Sequence, residues 1–237
     1  MICVVDLSRV TVILPALDEA AALPAALASF PPEAGLLVVD NGSTDQTATV
    51  AAAHGAQVVY EPRRGFGAAC WAGVQAASGE VLVFADADGS FDGADLEAVA
   101  GPVLAGEADL VVGSRLARGA PGAMSALAVL ENRLLGLACR LLFGVPLSDL
   151  GPFRAIRRDV LLALGVTDRG SGWPLEMIGR AGTLGLRVVE VPVRYRPRAG
   201  GRSKVSGSLG GTVRAITSMA AVTLALLRER RWTRAAR

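Results

Sequence analysis

Glu80-Val-Leu-Val-Phe-Ala-Asp86-Ala-Asp88-Gly-Ser-Phe-Asp92 decides how the rest of the chain is read. An apolar run of strand length passes straight into an acidic, glycine-containing turn. A buried strand that ends in two carboxylates one residue apart delivers both to the carboxyl edge of a sheet, where open α/β sheets bind ligands. Hard oxygen ligands at this spacing suit Mg2+ or Mn2+, which keep several waters and complete their shell from a diphosphate. The plain structural alternative is a solvated turn before a helix that begins near Ala94, with Asp92 as its cap.

On either side the pattern alternates. Val10 to Pro15, Leu36 to Asp40, Gln57 to Tyr60 and Asp109 to Ser114 read as strands. Glu19 to Phe30 and Gly65 to Ser78 read as helices, and a further helix after Asn41-Gly-Ser-Thr-Asp45-Gln46 has Ser43 and Gln46 spaced as a capping box. Strands and helices in alternation predict an α/β fold: a doubly wound, mostly parallel (mixed) sheet flanked by helices. Three strand ends then carry polar loops on one edge: Pro15-Ala-Leu17-Asp18-Glu19, Asp40 to Asp45, and Asp86-Ala87-Asp88. Carboxylates there can accept from a ribose diol or a base, and a helix N-terminus offers N–H groups to an anion. No Gly-x-Gly-x-x-Gly follows the first strand and no Gly-Lys-Ser/Thr loop is present, which disfavours a dinucleotide cofactor and a P-loop NTPase.

Composition narrows the function classes. With 51% hydrophobic and 19% charged residues the chain is apolar for a soluble protein, as expected of one that rests against a greasy surface. A net charge of +2 and 5% aromatics argue against a nucleic-acid partner. One histidine, His54, cannot build a His-rich zinc site or a Ser-His-Asp triad. Cys3, Cys70 and Cys139 are odd in number and far apart, so they read as reduced core residues of a protein on the cytosolic side. Met1 to Leu7 lacks the basic start of a signal peptide.

Thr11 to Glu19, Val38 to Asp45, Arg64-Gly65-Phe-Gly-Ala68 and Val83 to Asp88 resemble, in order and spacing, the successive motifs of family 2 glycosyltransferases with the GT-A fold. Gly113-Ser-Arg115, Asp149 to Arg154, Trp173 to Met177 and Gly201 to Lys204 extend the resemblance over nearly the whole chain, most closely to the dolichyl- and polyprenyl-phosphate sugar transferases. The resemblance implies a metal-dependent, inverting transfer of a hexose from a UDP- or GDP-sugar, such as UDP-glucose or GDP-mannose, to a lipid phosphate. It implies nucleotide-sugar contacts at Pro15, Leu17, Asp18, Glu19, Asp40, Gly42, Ser43, Asp45, Arg64, Gly65 and Ala87, and Mg2+ or Mn2+ on Asp86 and Asp88. Arg115 and Arg133 match positions that hold the acceptor phosphate. Two positions depart from the pattern: Asp18 stands where the family usually has Asn, and Ser90 where the mannose synthases have Gln.

The remaining segments bear on the acceptor. Ala123 to Phe143 reads as a long helix whose Leu127, Leu130, Leu134, Leu137 and Leu141 form a stripe, ordinarily a core face. Arg133 and Arg140 beside it also suit a lipid with a phosphate head, although each arginine could equally be a surface ion pair. Asp149 and Glu176 are candidate general bases for a hydroxyl acceptor; a phosphate acceptor needs none. Either could instead brace a turn or a helix N-terminus. Arg198 to Ser208 holds Arg202, Ser203 and Lys204 and reads as a basic lid closing on a diphosphate, or as a solvated linker. Residues 1–206 form the expected transferase domain, and 207–237 a C-terminal amphipathic helix with a basic tail. The apolar stretch Ala215 to Leu227 is 13 residues, short of the ~20 needed to span a bilayer. It fits a helix lying on a membrane surface, or one packed on the domain or on a second copy in a homodimer.

Overall fold

The computed structural model describes residues 5–116, 126–200 and 217–229. Seven strands form one sheet: β1 (Val10–Ala16), β2 (Gly35–Asp40), β3 (Gln57–Tyr60), β4 (Val81–Phe84), β5 (Leu110–Ser114), β6 (Arg154–Arg157) and β7 (Val188–Pro192). Their order is β3-β2-β1-β4-β6-β5-β7. Only β6 runs against its neighbours β4 and β5; the other pairings are parallel. The sheet is therefore mixed, as expected.

Alternation along each strand builds two cores. Ile13, Leu37, Val39, Leu82 and Phe84 face one side, against Cys70, Val74, Trp173 and Ile178. Val12, Leu14, Val38, Val81 and Val83 face the other, against Leu23, Leu27, Leu96 and Val99. The helices are α1 (Leu23–Ala28), α2 (Thr47–Ala53), α3 (Phe66–Ala76), α4 (Leu96–Leu104), α5 (Ala126–Phe143), α6 (Arg158–Leu164) and α7 (Trp173–Thr183), with residues 217–229 as α8. Helix α3 lies so near the sheet that a Cβ on Gly73 would stand 2.4 Å from Ile13 Cγ2, which accounts for its Gly/Ala composition.

Three sequence expectations change. Helix α1 starts at Leu23, not Glu19: Glu19 to Ala22 form a separate turn, with Glu19 O accepting from Ala22 N and Leu23 N at 3.0 Å, while the Glu19 and Ala20 N–H groups donate to the Thr47 and Asp45 side chains at 2.9 and 3.2 Å. The Ser43–Gln46 capping box does not form: Ser43 Oγ accepts from Asp18 N at 2.9 Å, and Gln46 makes no side-chain cap bond. The leucine stripe of α5 is not a core face. Leu130, Leu134, Leu137 and Leu141 are 52, 57, 51 and 73% exposed, while Gly136, Cys139 and Phe143 face the domain. A Cβ on Gly136 would meet Leu147 O at 2.3 Å, so the small-residue face gives the tighter packing and takes the inner side. Asp92 does cap the turn before α4, accepting from Ala94 N at 3.1 Å.

Helix α8 docks on the domain through Val222 and Leu226, with Gly172 N donating to Ser218 Oγ at 3.0 Å. Its outward face keeps Ala220 and Leu224 exposed. Among the described residues no helix is long and apolar enough to cross a membrane. Cys70 and Cys139 are buried, free thiols.

Candidate active site

The loops after β1 and β2 are knitted into one wall. Asp18 has φ +51°, the one positive value outside glycine among the described residues, and this turns its carboxylate back to accept from Thr44 N at 2.7 Å. Asp40, buried, accepts from Ser43 N at 2.8 Å. Asp45 takes both the N–H and the hydroxyl of Thr47; burial pushes its carboxyl up, but these donors outweigh that and hold it below the ordinary range. Gly42 has φ +79° and lies under the Arg64 guanidinium. Pro15 and Leu17 are half-buried beside them. The sequence reading passed over Asn41, whose amide donates to Glu61 O and Arg63 O at 2.9 and 2.7 Å and accepts from Gly65 N. Its place in the Asp-Asn-Gly turn was the available signal. Gly65 has a structural reason of its own, since a Cβ there would stand 2.3 Å from Arg169 O.

Asp86 and Asp88 follow β4 at the same edge. Asp88 is buried and accepts from Ser90 N at 2.9 Å. Burial first, and the Asp88 charge second, push Asp86 up to about 6 against the pull of Arg115, Arg198 and Arg154. Two adjoining carboxylates, with Asp86 held back from ionising by burial and by its neighbour's charge, form a donor set fit for a hard divalent cation. Among the described residues no three His, Cys, Asp or Glu side chains are grouped to hold a metal. A divalent cation held by this pair would need Asp86 ionised, so nucleotide binding that relies on such a cation is expected to weaken as pH falls through about 6. Calorimetry at stepped pH should find proton release on binding at the lower values; affinity flat across that range would count against the pair.

Arg115 directly follows β5 and meets the buried Asp149 in a bidentate pair. Asp149 Oδ2 accepts from Arg115 N at 2.9 Å and Nε at 2.8 Å, and Oδ1 accepts from Nη2 at 2.7 Å. Asn132 on α5 takes a further bond from Nη2 at 3.2 Å, and the guanidinium lies over the Tyr195 ring at 5.3 Å. Burial pulls the Arg115 pKa down, but Asp149 outweighs it and raises it. Glu190 braces the turn below, accepting from Ser148 N at 3.0 Å and Asp149 N at 3.1 Å. With both oxygens engaged on one cation, Asp149 has the geometry of a brace for Arg115. Arg154, wholly buried and pulled down to about 10 by desolvation, holds Gly151 O at 2.5 Å in the same loop.

Glu176 stands apart, at the start of α7. It accepts from Thr167 N at 3.0 Å, Asp168 N at 2.6 Å and Arg180 Nε at 2.8 Å. Burial pushes the carboxyl up, but these donors outweigh it and hold it low. The structure thus gives Glu176 the bracing alternative. Glu176→Gln is expected to cost about 1–3 kcal/mol by chemical denaturation and to leave transfer per folded molecule unchanged. Its stabilisation is present above the ordinary carboxyl pKa and fades as pH falls through the depressed one.

Arg133 is exposed on α5. Arg202, Ser203 and Lys204 lie outside the described residues, as do Cys3 and the basic tail. Arg198, read from sequence only as one cation of a loop, in fact contacts Asp88 and Glu19. Nothing in local spacing announces a pairing between residues so far apart in the chain.

The fold is that of the GT-A glycosyltransferases. Glucosyl-3-phosphoglycerate synthase from Mycobacterium tuberculosis, in complex with phosphoglyceric acid, superposes with a TM-score of 0.73 at 29% identity, covering 90% of this chain and 79% of that one. The same synthase has been solved with Mn2+, UDP and glucosyl-3-phosphoglycerate. An uncharacterized glycosyltransferase of Mycobacterium tuberculosis is 50% identical over 87% of this chain and 94% of its own. The undecaprenyl-phosphate mannosyltransferase of Micrococcus luteus is 33% identical over 86% and 90%. Residues 11–165 match the family described as Glycosyl transferase family 2, and the chain belongs to it.

Proposed function

We propose that this glycosyltransferase moves a hexose from a UDP- or GDP-sugar to a polyprenyl phosphate, with inversion, on the cytosolic face of a membrane. The observation that carries the acceptor is the exposed leucine stripe of α5. Passing round that helix from the leucines, Arg133 and Arg140 come next, and Asn132 with its bond to Arg115 beyond them. An apolar strip bordered by guanidinium groups suits an isoprenoid tail with an anionic head. The undecaprenyl-phosphate mannosyltransferase supports the same reading.

In this reading Asp18, Glu19 and Asp40 hold the nucleoside, with Pro15, Leu17, Gly42, Ser43, Asp45, Arg64 and Gly65 shaping the wall around it. Asp86 and Asp88 hold Mg2+ or Mn2+, which when bound neutralises charge on the departing diphosphate. Arg115, aimed by Asp149 and Asn132, and Arg133 hold the acceptor phosphate. Its oxygen attacks the anomeric carbon as the bond to the diphosphate breaks, and the electron pair leaves with the nucleoside diphosphate. No proton has to move, because the phosphate is already an anion at neutral pH. Arg202, Ser203 and Lys204 would close over the diphosphate.

A second reading, transfer to a soluble hydroxyl-bearing acceptor, draws support from the synthase that binds phosphoglyceric acid. One experiment separates them. The protein is incubated with a panel of nucleotide sugars, Mg2+ or Mn2+, and either short-chain polyprenyl phosphate or 3-phosphoglycerate, and the product is weighed by mass spectrometry. A hexosyl polyprenyl phosphate is expected; product on phosphoglycerate alone would overturn the lipid acceptor. Leu134→Glu, Leu141→Glu should reduce flotation with anionic vesicles and slow transfer to lipid, with nucleotide binding unchanged.

A further inference from the structure

We propose that the Arg198 guanidinium is a tethered stand-in for the divalent cation: it neutralises Asp88 in the ligand-free protein and passes to the nucleotide's diphosphate when the cation enters. The inference rests on the metal-assisted reading of Asp86 and Asp88. Arg198 Nη1 lies 3.0 Å from Asp88 Oδ2, and Nη2 lies 2.6 Å from Glu19 Oε1. One side chain thus spans from the proposed metal side of the crevice to its proposed nucleoside side. Both carboxylates are buried, where an uncompensated charge is costly, so the ligand-free crevice needs a cation of its own.

The backbone fixes where that cation is anchored. Residues 195–199 run beside the acidic turn: Tyr195 bridges Phe91, Arg196 N donates to Ser90 O at 2.9 Å and Ala199 N to Asp88 O at 3.0 Å. Gly89, at φ +73°, allows the approach, since a Cβ there would lie 3.0 Å from Ala199 Cβ. These bonds do not involve the guanidinium. It can therefore leave Asp88 by side-chain rotation alone and remain in the crevice.

Asp88 cannot keep both partners. A guanidinium in direct contact would sit against the incoming divalent ion, and like charges at that range repel strongly in a buried site. Entry of the metal with a nucleotide removes the conflict, because the diphosphate brings the anionic oxygens that the displaced guanidinium can pair with. Loss of the sugar then leaves one further negative charge on the diphosphate, and Arg198 is a cation already at hand to meet it.

The test is Mn2+ binding followed by electron paramagnetic resonance, with and without UDP or GDP, for wild type, Arg198→Gln and Arg198→Lys. Removing the resident cation should tighten binding of Mn2+ alone by about tenfold, with the lysine variant between the two, and should shrink the further gain that nucleotide gives. The lysine variant keeps the charge and guards against a folding defect in the neutral one. If Arg198→Gln binds Mn2+ no more tightly than wild type, while wild type still binds Mn2+ with nucleotide, the stand-in role is wrong and the metal site survives. If neither binds Mn2+ even with nucleotide, the metal reading fails and this inference fails with it.

Discussion

Asp88→Ala is expected to lower transfer by at least about 10³-fold, the scale of several kcal/mol that a metal supplies to a leaving group. The fold should survive, since what Asp88 gives it is one bond from Ser90 N and one contact with Arg198, at the rim of the sheet. Loss of the Ser90 bond costs about 1 kcal/mol. Activity is read by product formation and folding by thermal melting. Full transfer in EDTA, or an active variant, would end the metal-assisted reading.

The second large effect is expected at Arg115. Deleting it would strand Asp149, which is wholly buried, so the informative change is Arg115→Lys: charge is kept, and the two-pronged hold on Asp149 is lost. Acceptor kcat/KM should fall by about 10²-fold while affinity for the nucleotide stays the same. Asp149→Asn should give a smaller loss, concentrated in the acceptor KM and equal across the pH range, since in the lipid-phosphate reading its carboxylate acts by aiming Arg115. If Asp149 were instead a general base, its removal would cost roughly 10²–10⁴-fold in kcat and would abolish the acidic limb of the pH profile. A larger loss in Asp149→Asn than in Arg115→Lys would replace the lipid phosphate by a hydroxyl acceptor.

Much of this site could be read in the sequence because it is local. An apolar run that ends in Asp86-Ala-Asp88 states both its strand and its edge, and the loops after β1 and β2 are set by their strands in the same way. What pairs across the chain was hidden. The reversal of β6 between β4 and β5 depends on long-range partners, as does the bond from Asp18 N that draws Ser43 away from its helix. Periodicity located the leucines of α5 on one face without telling which face is inner. Close packing of Gly136 on the Leu147 carbonyl decided that, and a glycine's fit against backbone is visible only once both are in place. The partnership of Arg198 with Asp88 and Glu19 was hidden for the same reason.

Helix α5 has an exposed leucine edge and an opposite edge turned to the domain. Its 18 residues make a rod about 27 Å long. The leucines run along one side, and Asn132 grips Arg115 from the other. A bilayer lying along the leucines would therefore hold that guanidinium at a fixed height, about one helix diameter, some 10–12 Å, from the apolar plane. With a lipid phosphate as acceptor, the rod would work as a depth gauge. It would select an acceptor by how far its phosphate rises from the hydrocarbon, and would be indifferent to how many isoprene units lie below.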